Sequence, residues 1–153
     1  DIGGFMVVPL SDTATYALLG FGGQVGFGYA FPVGSIFLIP RVVTGVTWLP
    51  TDAPIPTDII YIPFGVDLKI ASASHQPMLP YLRLGGGVTW VLVIPEGSST
   101  QGKIVPYIDA GLGIDFRFGK KIGLYADVVY RAMFEGSVTI SGIYPGLGIS
   151  LRL

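Results

Sequence analysis

The sequence has no cysteine, one histidine and few charged residues. The lack of cysteine excludes a disulfide framework and any thiolate nucleophile or metal ligand, and one histidine falls short of the usual zinc ligand sets. Charged residues make up 12% of the chain, against about 25% in soluble domains. The net charge of −1 argues against nucleic-acid binding, which requires a basic face.

Long hydrophobic runs are also absent, although 50% of the residues are hydrophobic and the mean hydropathy is +0.64. No run reaches the roughly 18–20 apolar residues that a membrane helix needs. Closed β-structure is then the natural membrane-compatible fold, because it pairs its backbone groups internally. The chain begins at Asp1 without a leader, so we expect a mature or trimmed chain that folds as one domain over residues 1–153.

Alternation of apolar and polar residues is clearest in residues 104–135, where two runs flank a turn at 119–121. Successive side chains of a strand point to opposite faces. One face of this hairpin is therefore apolar, and the other carries mostly charges, tyrosines and glycines. A three-residue turn fixes the register, which pairs Phe118 with Ile122, Asp109 with Arg131, and Asp115 with Tyr125.

Eight segments with this character follow one another along the chain: 2–9, 17–31, 36–48, 58–71, 78–93, 104–118, 122–134 and 138–153. Short turns follow the second, fourth and sixth segments, and most other connections are longer. Short turns at one end and longer loops at the other are the layout of outer-membrane barrels, with both termini at the short-turn end. The sequence therefore predicts an all-β fold, an eight-stranded antiparallel up-and-down transmembrane β-barrel.

The charged residues within the segments share one face, which we expect to line the lumen: Arg41, Asp67, Lys69, Arg83, Asp109, Asp115, Arg117, Asp127, Arg131, Glu135 and Arg152. The opposite face carries many large apolar side chains. Since an eight-stranded barrel has room inside only for its own side chains, we expect the bulky apolar face to meet lipid. The alternative is a soluble barrel with the apolar face inside.

Aromatic residues concentrate towards the segment ends, which resembles the interfacial girdles of membrane barrels. We expect the following residues at the two membrane interfaces: Phe31, Trp48, Trp90, Phe118 and Phe134.

Prolines inside the segments conflict with regular pairing, because proline cannot donate to a ladder. They are Pro40, Pro63, Pro80, Pro106 and Pro145. We expect the first four at bulges or at the true start of pairing, whereas the sequence offers no account of Pro145.

The whole chain resembles the small eight-stranded bacterial outer-membrane barrels of the OmpA, OmpX and OmpW type. Its last strand, from Tyr144 to Leu151, is similar to their assembly signal: an aromatic residue, glycine two positions later, then alternating apolar residues. The chain ends in Leu153 where the family usually has phenylalanine, and its short loops argue against a loop-based adhesin. The resemblance implies a bacterial outer-membrane location, periplasmic termini and short turns, and partners limited to lipid or detergent and the barrel insertion machinery.

The lumenal charges are the one group of residues that could carry chemistry. Our main interpretation is a set of salt bridges that closes the lumen; the alternative is a polar passage for small ions or solutes. Asp109 with Asp115, or Asp115 with Asp127, could act as acid and base, but neighbouring arginines should hold them ionised. His75 beside Ser74 in a turn is not a positioned base. We predict no catalytic residue, no metal site and no cofactor.

These patterns together predict a monomeric outer-membrane barrel with a structural or interaction role and a mostly occluded, salt-bridged polar lumen. A narrow channel for small ions or solutes and a soluble, lipocalin-like carrier of a hydrophobic ligand are the two alternatives. A subunit enclosed by a larger assembly is also left open.

Overall fold

The computed structural model describes residues 1–10, 17–52, 57–73, 77–95, 97, 99–119 and 121–151. Within these ranges no helix is long and apolar enough to cross a membrane. The strands are β1 (Ile2–Leu10), β2 (Gly20–Gly28), β3 (Phe31–Val33), β4 (Ile36–Thr51), β5 (Thr57–Ser72), β6 (Met78–Pro95), β7 (Gln101–Phe118), β8 (Ile122–Glu135) and β9 (Val138–Leu151).

Antiparallel pairing closes these strands into a barrel. β1 pairs with β2 on one side and with β9 on the other, while β4 pairs with both β2 and β3. Because β2 and β3 are two parts of one barrel strand, the barrel has eight strands. The predicted fold class is confirmed.

The two ends of the barrel differ in their connections. The connections β1–β2, β4–β5, β6–β7 and β8–β9 lie at one end, the loop end, and the connections β3–β4, β5–β6 and β7–β8 lie at the other, the turn end. β1 begins and β9 ends at the turn end. The β7–β8 hairpin has the predicted register, with Asp109 opposite Arg131 and Asp115 opposite Tyr125. β6 and β7 run to Pro95 and from Gln101, so their hairpin reaches further at the loop end than predicted.

The strand predicted over residues 17–31 is broken at Tyr29 and Ala30, and Pro40 explains the break. The pairing of β2 with β4 ends at Gly28 opposite Arg41, and that of β3 with β4 begins at Phe31 opposite Leu38. Tyr29 and Ala30 thus face Pro40 and the residue before it, where β4 lacks an N–H donor. The amide of Tyr29 still donates to the Pro40 carbonyl at 3.3 Å.

The other prolines also lie where one ladder lapses or ends. The β4–β5 ladder skips from Thr44 opposite Phe64 to Thr47 opposite Tyr61, which omits Pro63. The β1–β9 ladder skips from Phe5 opposite Gly146 to Val8 opposite Ile143, which omits Pro145. Pairing stops beside the remaining two, at Ala71 opposite Tyr81 next to Pro80 and at Tyr107 opposite Met133 next to Pro106. Each of these prolines therefore interrupts pairing with one neighbouring strand and leaves pairing with the other intact.

The charged face of the sheet points inward and the apolar face points outward. On β8, Leu124 and Val128 are 44% and 46% exposed, whereas Asp127 and Arg131 are 7% and 6% exposed. A soluble barrel has the reverse arrangement. The outward surface is apolar, which suits hydrocarbon.

Inward glycines make room for inward aromatic rings. A Cβ at Gly113 would lie 2.5 Å from the Tyr81 ring and 2.6 Å from the Ala126 carbonyl oxygen. A Cβ at Gly148 would likewise lie 2.5 Å from the Tyr125 ring. The narrow interior therefore holds tyrosines because glycine stands beside them.

We expect Gly113→Ala to destabilise the barrel, because the added methyl group must displace both the Tyr81 ring and a backbone carbonyl. The cost should be in the range of about 1–3 kcal/mol that overpacking of a core brings. Unfolding by urea in lipid vesicles, followed by tryptophan fluorescence, measures it.

The matched control for that substitution is Gly4→Ala, where the nearest atom to a new Cβ is 3.6 Å away. It should change stability little. Equal losses in the two variants would contradict the steric explanation.

Candidate functional site

Inward-pointing ions from five strands, β4 to β8, meet inside the barrel. We call them the central ion cluster: Arg41, Asp67, Arg83, Asp109, Asp127 and Arg131, all buried. Strand register brings them together, since Arg41 lies opposite Asp67 and Asp109 lies opposite Arg131. The cluster therefore follows from the alternation of side chains along each strand and from the pairing of neighbouring strands.

Arg41 and Asp67 form a two-pronged ion pair. Arg41 Nε donates to Asp67 Oδ1 at 2.7 Å, and Nη2 donates to Oδ2 at 2.8 Å. The third nitrogen, Nη1, lies 2.5 Å from Asp1 Oδ2. This fork is among the stronger side-chain interactions, because two charge-assisted bonds act in one fixed geometry.

Arg83 stands at the centre of the cluster and is 1% exposed. Its Nε lies 2.8 Å from Asp67 Oδ2, and its two terminal nitrogens lie 3.8 Å from carboxylate oxygens of Asp109 and Asp127. One cation thus serves three buried carboxylates. Removing it would leave three anions short of charge in a low-dielectric interior.

Arg131 completes the cluster by contact with both a carboxylate and aromatic rings. Its Nη2 donates to Asp109 Oδ2 at 2.8 Å. The guanidinium carbon lies 4.4 Å from the Tyr107 ring centre and 5.1 Å from that of Tyr144. Cation–π attraction therefore adds to the ion pair.

A second ion pair lies towards the turn end. Lys69 Nζ is 2.7 Å from Asp115 Oδ2 and 3.8 Å from the Tyr81 ring centre. The Tyr81 hydroxyl donates to Asp127 Oδ2 at 3.1 Å. Tyr81 therefore links this pair to the central ion cluster.

Towards the loop end the inward side chains are apolar rather than charged. We call this group the apolar plug: Val7, Leu49, Tyr61, Val91, Val105, Tyr107, Val129, Met133 and Tyr144. Six of its members are aliphatic or methionine side chains that expose 4% or less of their surface: Val7, Leu49, Val91, Val105, Val129 and Met133. Along its length the lumen is therefore filled by charged side chains in one part and by the apolar plug in another.

The geometry matches known structures of membrane barrels. Neisserial surface protein A aligns at 13% identity with a TM-score of 0.70, over 99% of this chain and 96% of that protein. Ail from Yersinia pestis aligns at 15% identity with a TM-score of 0.63, over 99% and 95% of the two chains. The outer-membrane enzyme PagL aligns at 10% identity with a TM-score of 0.64, over 96% and 97%.

This chain has the fold of the small eight-stranded outer-membrane barrels. The resemblance stated from its sequence is confirmed at the level of fold. Comparison with protein-family models gives no match, and neither does comparison with curated proteins.

Eight of the eleven residues predicted for the lumenal charge network are buried in the barrel interior. Arg117 is partly exposed at the turn end. Glu135 lies at the loop-end rim, where it pairs with Lys103, and both side chains are more than a third exposed. Arg152 lies outside the described residues.

The residues predicted for the membrane interfaces all point outward and are exposed: Phe31, Trp48, Trp90, Phe118 and Phe134. His75 and Ser74 lie outside the described residues. Within the described ranges, no three His, Asp or Glu side chains are grouped in a way that could hold a metal ion.

The apolar plug is the functional feature that the sequence reasoning missed. Its signal was present as inward-position residues near the loop end, such as Val91, Val105 and Met133. Alternation along the strand places these residues on the same face as the charges. Their distance along the strand from the charged residues is the signal that separates the apolar plug from the ion cluster.

We expect Arg83→Met to cost about 3–5 kcal/mol of unfolding free energy, because breaking a buried ion pair leaves uncompensated charge. Lys103→Met removes a cation from the exposed rim pair with Glu135 and should cost less than about 1 kcal/mol. Urea titration of both variants in lipid vesicles measures the difference. Similar losses at the two sites would contradict the role given to Arg83.

Proposed function

We propose that this chain is an integral protein of the bacterial outer membrane with a structural or interaction role, a closed lumen and no catalytic activity. The observation that carries the proposal is the filled interior beneath an apolar outer wall. Its surroundings are lipid or detergent, and it acts as a monomer.

The outer wall supports the membrane location. Large side chains such as Phe27, Val66 and Leu112 expose 79%, 63% and 64% of their surface. In water such a surface would associate or precipitate. In a bilayer it is the ordinary lipid face of a barrel.

The interior supports a closed lumen with two barriers. The central ion cluster crosses the lumen from several strands, and the apolar plug packs towards the loop end. The space beside Arg83 and Arg131 amounts to about 10 Å³, which is close to the room that one water needs. Hydrated ions need a wider and continuous path.

The absence of catalysis is proposed from the chemistry of the interior and not from the fold, because PagL is an enzyme with a similar barrel. The carboxylates of Asp67, Asp109 and Asp115 each contact a cation at 2.8 Å or less. These carboxylates therefore serve as counter-ions of the buried cations.

The barrel layout supports periplasmic termini and short turns. β1 begins and β9 ends at the turn end, whose connections have two, five and three residues, against nine, five, five and two at the loop end. In bacterial barrels that end usually faces the periplasm. We propose that β9 presents the assembly signal to the barrel insertion machinery.

The refolded protein should give no discrete current steps in planar lipid bilayers, because both barriers close the lumen. Arg83→Ala should remain silent too, since the apolar plug does not depend on that side chain. Folding of each sample is verified by faster gel migration before boiling than after it. Steps that grow in Arg83→Ala would replace this proposal with the narrow channel.

Bromolipid quenching tests the interfacial aromatic residues. The chain has two tryptophans, Trp48 and Trp90, which are 45% and 48% exposed on the outer wall. We expect bromine near the headgroup end of the acyl chain to quench their fluorescence more than bromine near the bilayer centre. The variants Trp48→Phe and Trp90→Phe assign the effect to each residue. Stronger quenching from the centre, or none, would contradict the interfacial placement.

A further inference from the structure

A groove of about 620 Å³ crosses the outer wall of the barrel on β2, β4, β5 and β6. The side chains that rise around it are apolar: Phe27, Pro40, Val42, Val66, Leu68 and Leu84. Three strand spacings separate β2 from β6, so the groove spans about 14 Å. Its volume falls within the range of about 300–1,000 Å³ that small-molecule sites have.

Gly86 also lines the groove and leaves a gap in the outward row of side chains. Leu84, two residues earlier on β6, and Val66, opposite Gly86 on β5, expose 56% and 63% of their surface. The three atoms nearest to a Cβ built at Gly86 belong to β7: the Tyr107 carbonyl oxygen at 3.0 Å and two Ile108 atoms at 3.7 and 3.8 Å. The groove is therefore an opening between large outward side chains.

The sheet beneath the groove is paired on both sides. Val66 lies opposite Val42 on one neighbouring strand and opposite Gly86 on the other. The two charged residues of the lining, Arg41 and Asp67, bond to each other on the lumen side. The groove therefore offers mainly hydrocarbon to an occupant. A peptide strand would bring backbone N–H and C=O groups that find no partners there, and hydrocarbon makes such groups costly.

The groove lies nearer the turn end than the loop end. On β4 (Ile36–Thr51), Val42 is six residues from the turn end and nine from the loop end. On β5 (Thr57–Ser72), Val66 has the same two distances. With the orientation proposed above, this half of the wall faces the periplasmic leaflet, which consists of phospholipid in bacterial outer membranes. An acyl chain is hydrocarbon along its length, so it brings no polar group into the groove.

We propose that this groove binds one acyl chain of a phospholipid in the leaflet at the turn end. The chain lies over Gly86, between Val66 and Leu84, and meets Phe27 at the β2 end. It is held longer than lipids on the rest of the wall, because a groove contacts the chain on several sides and dispersion contacts add up. The site rests on the proposed function, since it needs the outer wall to lie in a bilayer, and it adds a specific lipid partner to that function.

Native mass spectrometry tests the site. The wild-type protein is refolded into vesicles that contain equal amounts of phosphatidylethanolamine, phosphatidylglycerol and lipid A, and is then extracted in mild detergent. We expect one bound phospholipid per barrel. A barrel without lipid, a lipid A adduct in place of the phospholipid, or a dimer without lipid would each overturn the proposal.

A pair of matched variants locates the bound lipid. Val66→Phe places a ring in the groove and should abolish the phospholipid adduct. Val46→Phe makes the same change at an outward residue that is 51% exposed and is not among the lining residues, so the adduct should persist. An adduct that survives Val66→Phe, or that disappears in Val46→Phe, would count against the groove.

Two further measurements separate this site from the proposed function. Flotation with vesicles reports insertion, and faster gel migration before boiling reports a closed barrel. If the wild type inserts and closes but carries no phospholipid, the site alone is wrong; if it does not insert, the membrane role is wrong as well. Should Val66→Phe not fold, Leu84→Trp fills the groove instead. Its control is Leu112→Trp, because Leu112 is 64% exposed on the same wall and lies outside the groove.

Discussion

A strand in hydrocarbon, the surroundings proposed for this barrel, must find a partner for each backbone N–H and C=O group, and a closed barrel meets that constraint. Closure by β1 with β9 removes the two sheet edges that an open sheet would leave in lipid. The prolines show how far the constraint can be relaxed. Pro63 and Pro145 interrupt one ladder each while their other side stays paired, with Thr89 and Val128 respectively.

The second constraint is the width of an eight-stranded barrel, whose interior holds little beyond its own side chains. Glycine beside tyrosine, as at Gly113 with Tyr81, lets large polar groups enter that space. Within it, the buried bases Arg41, Lys69, Arg83 and Arg131 face an equal number of buried acids: Asp67, Asp109, Asp115 and Asp127. Balance of this kind matters because an unmatched ion in a narrow lumen keeps its full desolvation cost.

Much of this architecture is readable from the sequence, because a period of two assigns each side chain to a face and the turn length sets the register. That is why the pairing of Asp109 with Arg131 followed from counting. Alternation assigns a residue to a face but does not give its depth along the barrel axis. An inward Met133 and an inward Asp127 therefore look equivalent in the sequence. The apolar plug was missed for that reason, and Glu135 was grouped with buried ions although it pairs at the rim with Lys103. The break at Tyr29 was missed because its cause, Pro40, lies on the neighbouring strand.

The lapse at Pro145 has a consequence for how the barrel assembles. Pairing of β1 with β9 joins the most distant segments of the described chain, so this contact forms against the largest loop-closure entropy. Local hairpins such as β7–β8 can form before the contact between β1 and β9. The last ladder to form is therefore interrupted where Met6 stands opposite Pro145 and Val7 opposite Tyr144. β9 has seven register pairs with β1 and fourteen with β8, so β9 would separate from β1 more easily than from β8.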